Sequence, residues 1–211
     1  MMKQKKSNLL IQIKKLLSAS LCLTLITFCH SSAVANTLNQ KYKHLAANTD
    51  GQPHNLATIR NWFNCYDQIR RQAQLSPAER QRADQIMSKG LSIFMPGADK
   101  ALAQNLMTEL VSRYEIAAQQ MSQLQIISAT EQLHRAYYQY FIDAKNLFSD
   151  YLKLQSDLMA VDQNTGQPIA SGLVERKENL SMLDQNNKIL DERLRQQYGI
   201  QSYQYQPASA N

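Results

Sequence analysis

The sequence predicts an all-α protein: an antiparallel helical bundle of about four main helices and one short helix, following an N-terminal signal peptide. Three observations carry this. Glycine and proline are scarce, at 6 and 5 of 211 residues, which favours helices over irregular or strand-rich folds. Apolar residues recur at alternating steps of three and four over long runs, the pattern of a buried helical seam. Two Ser/Thr-x-x-Glu patterns precede such runs, as a helix start requires.

The first segment is set apart by its composition. Lys3, Lys5, Lys6, Lys14 and Lys15 precede an apolar run, Leu16–Phe28, that leads to Ala33-Val34-Ala35. The run is shorter than the roughly 20 residues of a bilayer-crossing helix, and a small-x-small triplet is a signal peptidase site. Cleavage after Ala35 is therefore expected, giving a mature chain with no stable membrane span that is exported to the periplasm or the medium. Leu21 and Phe28 precede Cys22 and Cys29, where a lipid-anchor site would need a small residue.

Removing this segment changes the charge and thiol inventory. All 17 acidic residues and all but five of the 23 basic ones lie beyond residue 35, so a formal charge of +6 becomes +1. That near-neutrality removes the premise for nucleic-acid binding. Cys65 becomes the one cysteine, which excludes an intramolecular disulfide framework and a multi-cysteine zinc site within one chain.

Residues 36–55 read as a polar spacer, with Asp50-Gly51 and Gln52-Pro53 as turn signals. The bundle domain spans 56–199. Its first helix is expected from about Leu56 to Gln74, with Ile59, Trp62, Tyr66, Ile69 and Ala73 on its buried face. Ser76-Pro77-Ala78-Glu79 is a capping box for a short helix to about Lys89, with Gly90 as its left-handed stop. Ile93 to Gly97 reads as an apolar connection tucked against the core.

The next helix, about Ala98–Ile126, carries Ala103, Met107, Leu110, Tyr114, Ala117, Met121 and Leu124 in a heptad seam. Ser128-Ala129-Thr130-Glu131 then reads as a second capping box. The helix behind it has the seam Leu133, Tyr137, Tyr140, Ala144, Leu147, Tyr151, Leu154 and Leu158. Helices joined so closely pack antiparallel as neighbours. After a polar turn at 162–168 the last helix is expected over Ile169–Tyr198, stopped by Gly199. Its seam is Ile169, Leu173, Arg176, Leu180, Leu183, Asn187, Leu190 and Leu194. Residues 200–211 read as a loose tail.

Candidate chemistry is sparse. Glu131 and His134 form a Glu-x-x-His pair, which places a carboxylate and an imidazole on one helical face as in di-iron bundles. Only one such pair exists, so it marks a candidate metal site without the second half. His134 with Met107 or Met121 could ligate a non-covalent haem; no Cys-x-x-Cys-His motif for covalent attachment occurs. Methionines at seam positions otherwise serve as core filler, and no cofactor is expected.

Cys65 borders the buried face of the first helix. It reads either as a shielded small hydrophobe or as a redox-active thiol or intermolecular disulfide. Tyr137, Tyr138, Phe141 and Phe148 could line a ligand groove, although a tyrosine-built core explains all but Tyr138, which falls off the seam. No Gly-rich phosphate loop, Gly-x-Ser-x-Gly elbow or His-Glu-x-x-His motif appears.

Leu75-Ser76-Pro77-Ala78-Glu79-Arg80 resembles the Leu-Thr-x-x-Gln segment of Spy-like periplasmic chaperones, which are small, exported and all-helical. The likeness covers about a dozen residues, occurs once where that family has it twice, and has Glu79 in place of the glutamine; helix capping alone selects the same pattern. These readings together predict an exported, non-enzymatic binding or chaperone-like module of the cell envelope. Its partner would be a protein or small ligand, and a homo-oligomer is compatible with the helical seams. The alternative is a haem- or metal-binding bundle using His134.

Overall fold

The computed structural model describes residues 55–163 and 165–204. The expected signal peptide 1–35, the expected spacer up to residue 54 and the tail from residue 205 lie outside the described residues. Among the described residues there are five α-helices and one 3-10 turn: α1 (Leu56–Ala73), α2 (Pro77–Met87), the turn Gly90–Ile93, α3 (Ala98–Gln123), α4 (Glu131–Ser156) and α5 (Ile169–Tyr198). None of the helices among the described residues is long and apolar enough to cross a membrane.

Local chemistry sets most boundaries. Asn55 caps α1, its side chain accepting the Ala57 N–H at 3.0 Å, and α1 ends where Gln74 turns extended. Ser76 and Glu79 form the reciprocal capping box that the sequence predicts. The Ser76 N–H donates to Glu79 at 2.7 Å and the Glu79 N–H to the Ser76 hydroxyl at 3.2 Å. Pro77 occupies the first helical position, where its missing N–H costs nothing. Gly90, at φ 68°, takes the left-handed conformation that ends this segment. The connection after it is indeed tucked in: Ile93 and Phe94 are buried, and Gln155 of α4 donates to the Ile93 carbonyl at 3.0 Å.

The structure starts α4 with Thr130, not Ser128, at its N-cap. Thr130 precedes α4 without a side-chain cap, because the chain turns at 127–130, the Thr130 N–H donating to the Ile127 carbonyl at 3.0 Å. That turn buries Thr130 completely, and Glu131 pairs instead with Arg135 one turn on, at 2.8 Å. Helix α3 likewise ends at Gln123, three residues before the predicted end, since Leu124 adopts an extended conformation.

The seams of α3 and α4 are the centre of the core. Ala103, Met107, Leu110, Tyr114, Ala117 and Met121 are buried against Leu133, Tyr137, Tyr140, Ala144, Leu147, Tyr151 and Leu154. Aromatic rings interlock across this line. Tyr114 stacks on Phe148 at 5.8 Å and meets Tyr140 edge-on at 6.0 Å. Leu158 lies past the end of α4 and is exposed.

Helix α5 departs from its predicted seam in its second half. Leu180, Leu183, Leu190 and Leu194 are only partly buried, whereas Asn187, Asp191 and Arg195 are buried. These three repeat every fourth residue and so share one face. At 3.6 residues per turn, Leu183, Leu190 and Leu194 lie to one side of that polar stripe. Asn187 donates to the Ala136 carbonyl of α4 at 3.0 Å, fixing the register of α5 as a seam asparagine does. Arg176, the other polar seam residue, is half-buried and pairs with Asp150 of α4.

Candidate functional site

The buried polar stripe of α5 meets α1 in a four-membered ion cluster. Asp191 accepts from Arg70 of α1 and, at 2.8 Å, from Nε of Arg195 one turn further along α5. Arg195 reaches on to Asp67 of α1. Arg70, Asp191 and Arg195 are almost fully buried. The two positive and two negative groups balance, which is the condition for removing such charges from water.

Aromatic rings enclose the cluster. The guanidinium carbon of Arg70 lies 4.8 Å from the Tyr137 ring centre, 5.3 Å from that of Tyr66 and 4.0 Å from that of Tyr203. Arg195 lies over Phe63 at 4.7 Å. Such cation–π contacts gain strength where water is excluded.

Tyr203 belongs to the segment after α5, which the sequence reads as loose. Gly199, at φ 61°, reverses the chain, and the next residues are tied back. The Ile200 N–H donates to the Arg195 carbonyl at 2.8 Å. Arg195 donates to the Gln201 carbonyl at 2.9 Å. Ser202 donates to Glu192 at 2.9 Å and the Tyr203 hydroxyl to Gln74 of α1 at 2.9 Å. Residues 200–204 therefore form a strap across the end of the bundle, correcting the expectation for that stretch.

Burial pushes the Tyr66 phenol well above its usual pKa and that of Tyr137 up to about 12. Burial acts against the charge on Arg70, but Tyr66, Tyr137 and Asp191 outweigh it and raise its pKa. Burial also raises the Asp191 carboxyl against the opposing pull of Arg70 and Arg195. The two phenols therefore stay neutral and the two guanidiniums charged near neutral pH. The cluster is suited to holding α1, α5 and the strap in one geometry.

An open cleft of about 420 Å³ lies on the solvent side of this cluster. One wall is a stripe of α1, Arg60, Asn64, Asp67 and Arg71, spaced by four, three and four residues so that all face one way. The other is the strap from Gly199 to Gln204, and Arg195 forms part of the floor. Arg60 and Arg71 are exposed.

The sequence-predicted residues lie elsewhere and do not converge. Tyr137 encloses the ion cluster, whereas Phe141 and Phe148 pack in the core with Tyr114. Tyr138 is exposed on the far side of α4. Phe148 lines a separate cavity of about 60 Å³ with Met107, Leu110, Tyr114 and Tyr140, room for about two waters. The four aromatics thus build no common groove.

His134 is buried beside Trp62, their ring centres 6.3 Å apart, and its Nδ1 has no hydrogen-bond partner. Burial lowers its pKa, with Arg135 adding to the effect and Glu131 opposing it. Glu131 is turned to Arg135. Among the described residues no group of three or more His, Cys, Asp or Glu side chains could hold a metal ion. Cys65 is exposed on α1 as a free thiol, which corrects its reading as a shielded hydrophobe.

Sequence reasoning passed over Arg60, Asn64, Asp67, Arg70, Arg71, Asp191, Arg195 and Tyr203. The available signal was polar periodicity: the Arg60 stripe on α1 and the Asn187-Asp191-Arg195 stripe on α5 both keep helical spacing. No protein-family model, curated protein or solved structure matches this chain.

Proposed function

We propose that this chain is an exported, non-enzymatic binding module of the cell envelope that holds its ligand in the cleft between α1 and the 199–204 strap. The cleft carries the reading. At about 420 Å³ it falls within the few hundred to one thousand Å³ of ligand sites, and the ion cluster beneath it fixes both walls. A preformed site spends less binding energy on ordering. The lack of a convergent nucleophile and base among the candidate residues favours binding over catalysis. Export rests on the Lys-rich start, the Leu16–Phe28 run and the Ala33-Val34-Ala35 triplet.

Two measurements test this. The intact mass of protein recovered from the cell envelope or medium is expected to correspond to a chain beginning at Asn36, and a full-length cytoplasmic product would overturn export. Nuclear magnetic resonance of the labelled mature chain, titrated with a panel of small polar anions and short peptides, is expected to move the signals of Arg60, Arg71 and Gln201 to Gln204. A panel that moves none of them would overturn the cleft as the site. The alternative of haem or metal binding through His134 has less support, since the imidazole packs against Trp62 and lines neither cavity.

A further inference from the structure

The cleft's charge pattern narrows its ligand. Arg60 and Arg71 stand at opposite ends of the α1 stripe, and at 1.5 Å of rise per residue their backbones are roughly 16 Å apart along the helix. Neither belongs to an ion pair among the described residues. The middle is different. Asp67 lies there, paired with Arg195, and Arg195 spends most of its donors on Asp67, Asp191 and the Gln201 carbonyl. Asn64 and the Gln204 side chain add neutral amides to the lining.

The surface therefore reads positive, neutral, positive over a distance too long for one small anion. From this geometry we infer that the cleft binds an extended acidic peptide segment whose two carboxylates, about four to six residues apart at some 3.3 Å per residue, engage Arg60 and Arg71. This rests on the cleft being the binding site. Arginine presents a planar fork that takes a carboxylate in two parallel hydrogen bonds. The amides in between match the peptide groups of the intervening residues.

A nucleic-acid strand fits less well. It carries a negative charge at every step, which would bring phosphate against Asp67. It also needs aromatic faces for its bases, and the Tyr203 ring is already occupied by Arg70.

Fluorescein-labelled peptides provide the test, one with glutamates five positions apart in a serine background and one with the second glutamate replaced by glutamine. Their affinities for the mature chain are read by anisotropy, and the site by chemical-shift mapping. The diacid peptide is expected to bind at the cleft, with about a tenfold loss for the single-acid peptide and for each of Arg60→Gln and Arg71→Gln. Arg82→Gln, outside the cleft, is expected to leave binding unchanged, and matching helical spectra show that the variants fold.

Succinate that shifts the cleft residues while the diacid peptide has no advantage over the single-acid one would overturn the two-carboxylate span and leave the cleft reading in place. An oligothymidylate binding there as tightly as the diacid peptide would overturn the peptide assignment. Probes that leave every cleft residue unmoved would overturn both readings.

Discussion

The Tyr203 ring covers the Arg70 guanidinium at 4.0 Å, so a residue beyond the last helix closes an ion cluster rooted in the first. Tyr203→Ala removes this cover and the hydrogen bond to Gln74. The expected loss is about 1–2 kcal/mol, read as a lower urea midpoint. Tyr203→Phe keeps the ring and is expected to lose less than half as much.

Truncating one partner of a buried ion pair leaves the other uncompensated. Asp191→Ala leaves the buried Arg70 without its one carboxylate partner among the described residues, and a loss of about 3–5 kcal/mol is expected. Replacing Arg70, Asp191 and Arg195 together by Met, Leu and Met removes the buried charges as a set. Asp67, partly exposed, remains hydrated. Denaturant unfolding of the triple variant is expected to show a smaller loss than the single one, and the reverse order would contradict the cluster as described.

His134 gives the fold a pH dependence with a definite sign. Its pKa in the folded chain lies below the ordinary 6.5, so the unfolded chain takes up the proton first. The associated stability is present above 6.5 and is lost as pH falls through the folded value. Melting temperature should therefore drop on acidification below neutrality, and the drop should be smaller in His134→Leu. Equal slopes for the two proteins would rule out this role.

Glu79 governs a more acidic range. Its hydrogen bond from Arg113 outweighs partial burial and, with help from Ser76, holds its carboxyl down to about 2 from an ordinary 4.5. Its contribution is present above 4.5 and is lost as pH falls through 2. Glu79→Gln should flatten the stability profile across that interval. Because the side chain is substantially exposed, the difference should stay below about 1 kcal/mol.

Exposure of Cys65 predicts its reactivity. In a folded chain beginning at Asn36, a thiol reagent such as dithionitrobenzoate should titrate one thiol at nearly the rate seen in denaturant. Slow labelling released only by unfolding would restore the shielded reading.

The helices were legible because apolar periodicity reports burial directly. The seams through Met107 and Tyr114 on α3, and through Tyr137 and Ala144 on α4, lie in the core as their spacing implies. Capping was less legible. Ser76-x-x-Glu79 and Ser128-x-x-Glu131 are equivalent as strings, yet the structure puts the serine at the N-cap only in the first and Thr130 there in the second. The cleft was least legible, since hydropathy counts Arg70, Asp191 and Arg195 as surface residues. Their burial follows only from their mutual pairing, across as many as 121 positions for Arg70 and Asp191, which no local pattern encodes.

That separation also bears on the order of assembly. Helix α1 is made early in synthesis, but the counter-charge for its buried arginine arrives on α5 and the ring that covers it arrives later still. Contacts so distant in sequence form late in folding, after shorter-range ones. A chain lacking residues 195–204 has no Arg195 or Tyr203 to complete the cluster, and holds α1 mainly by its packing against α3.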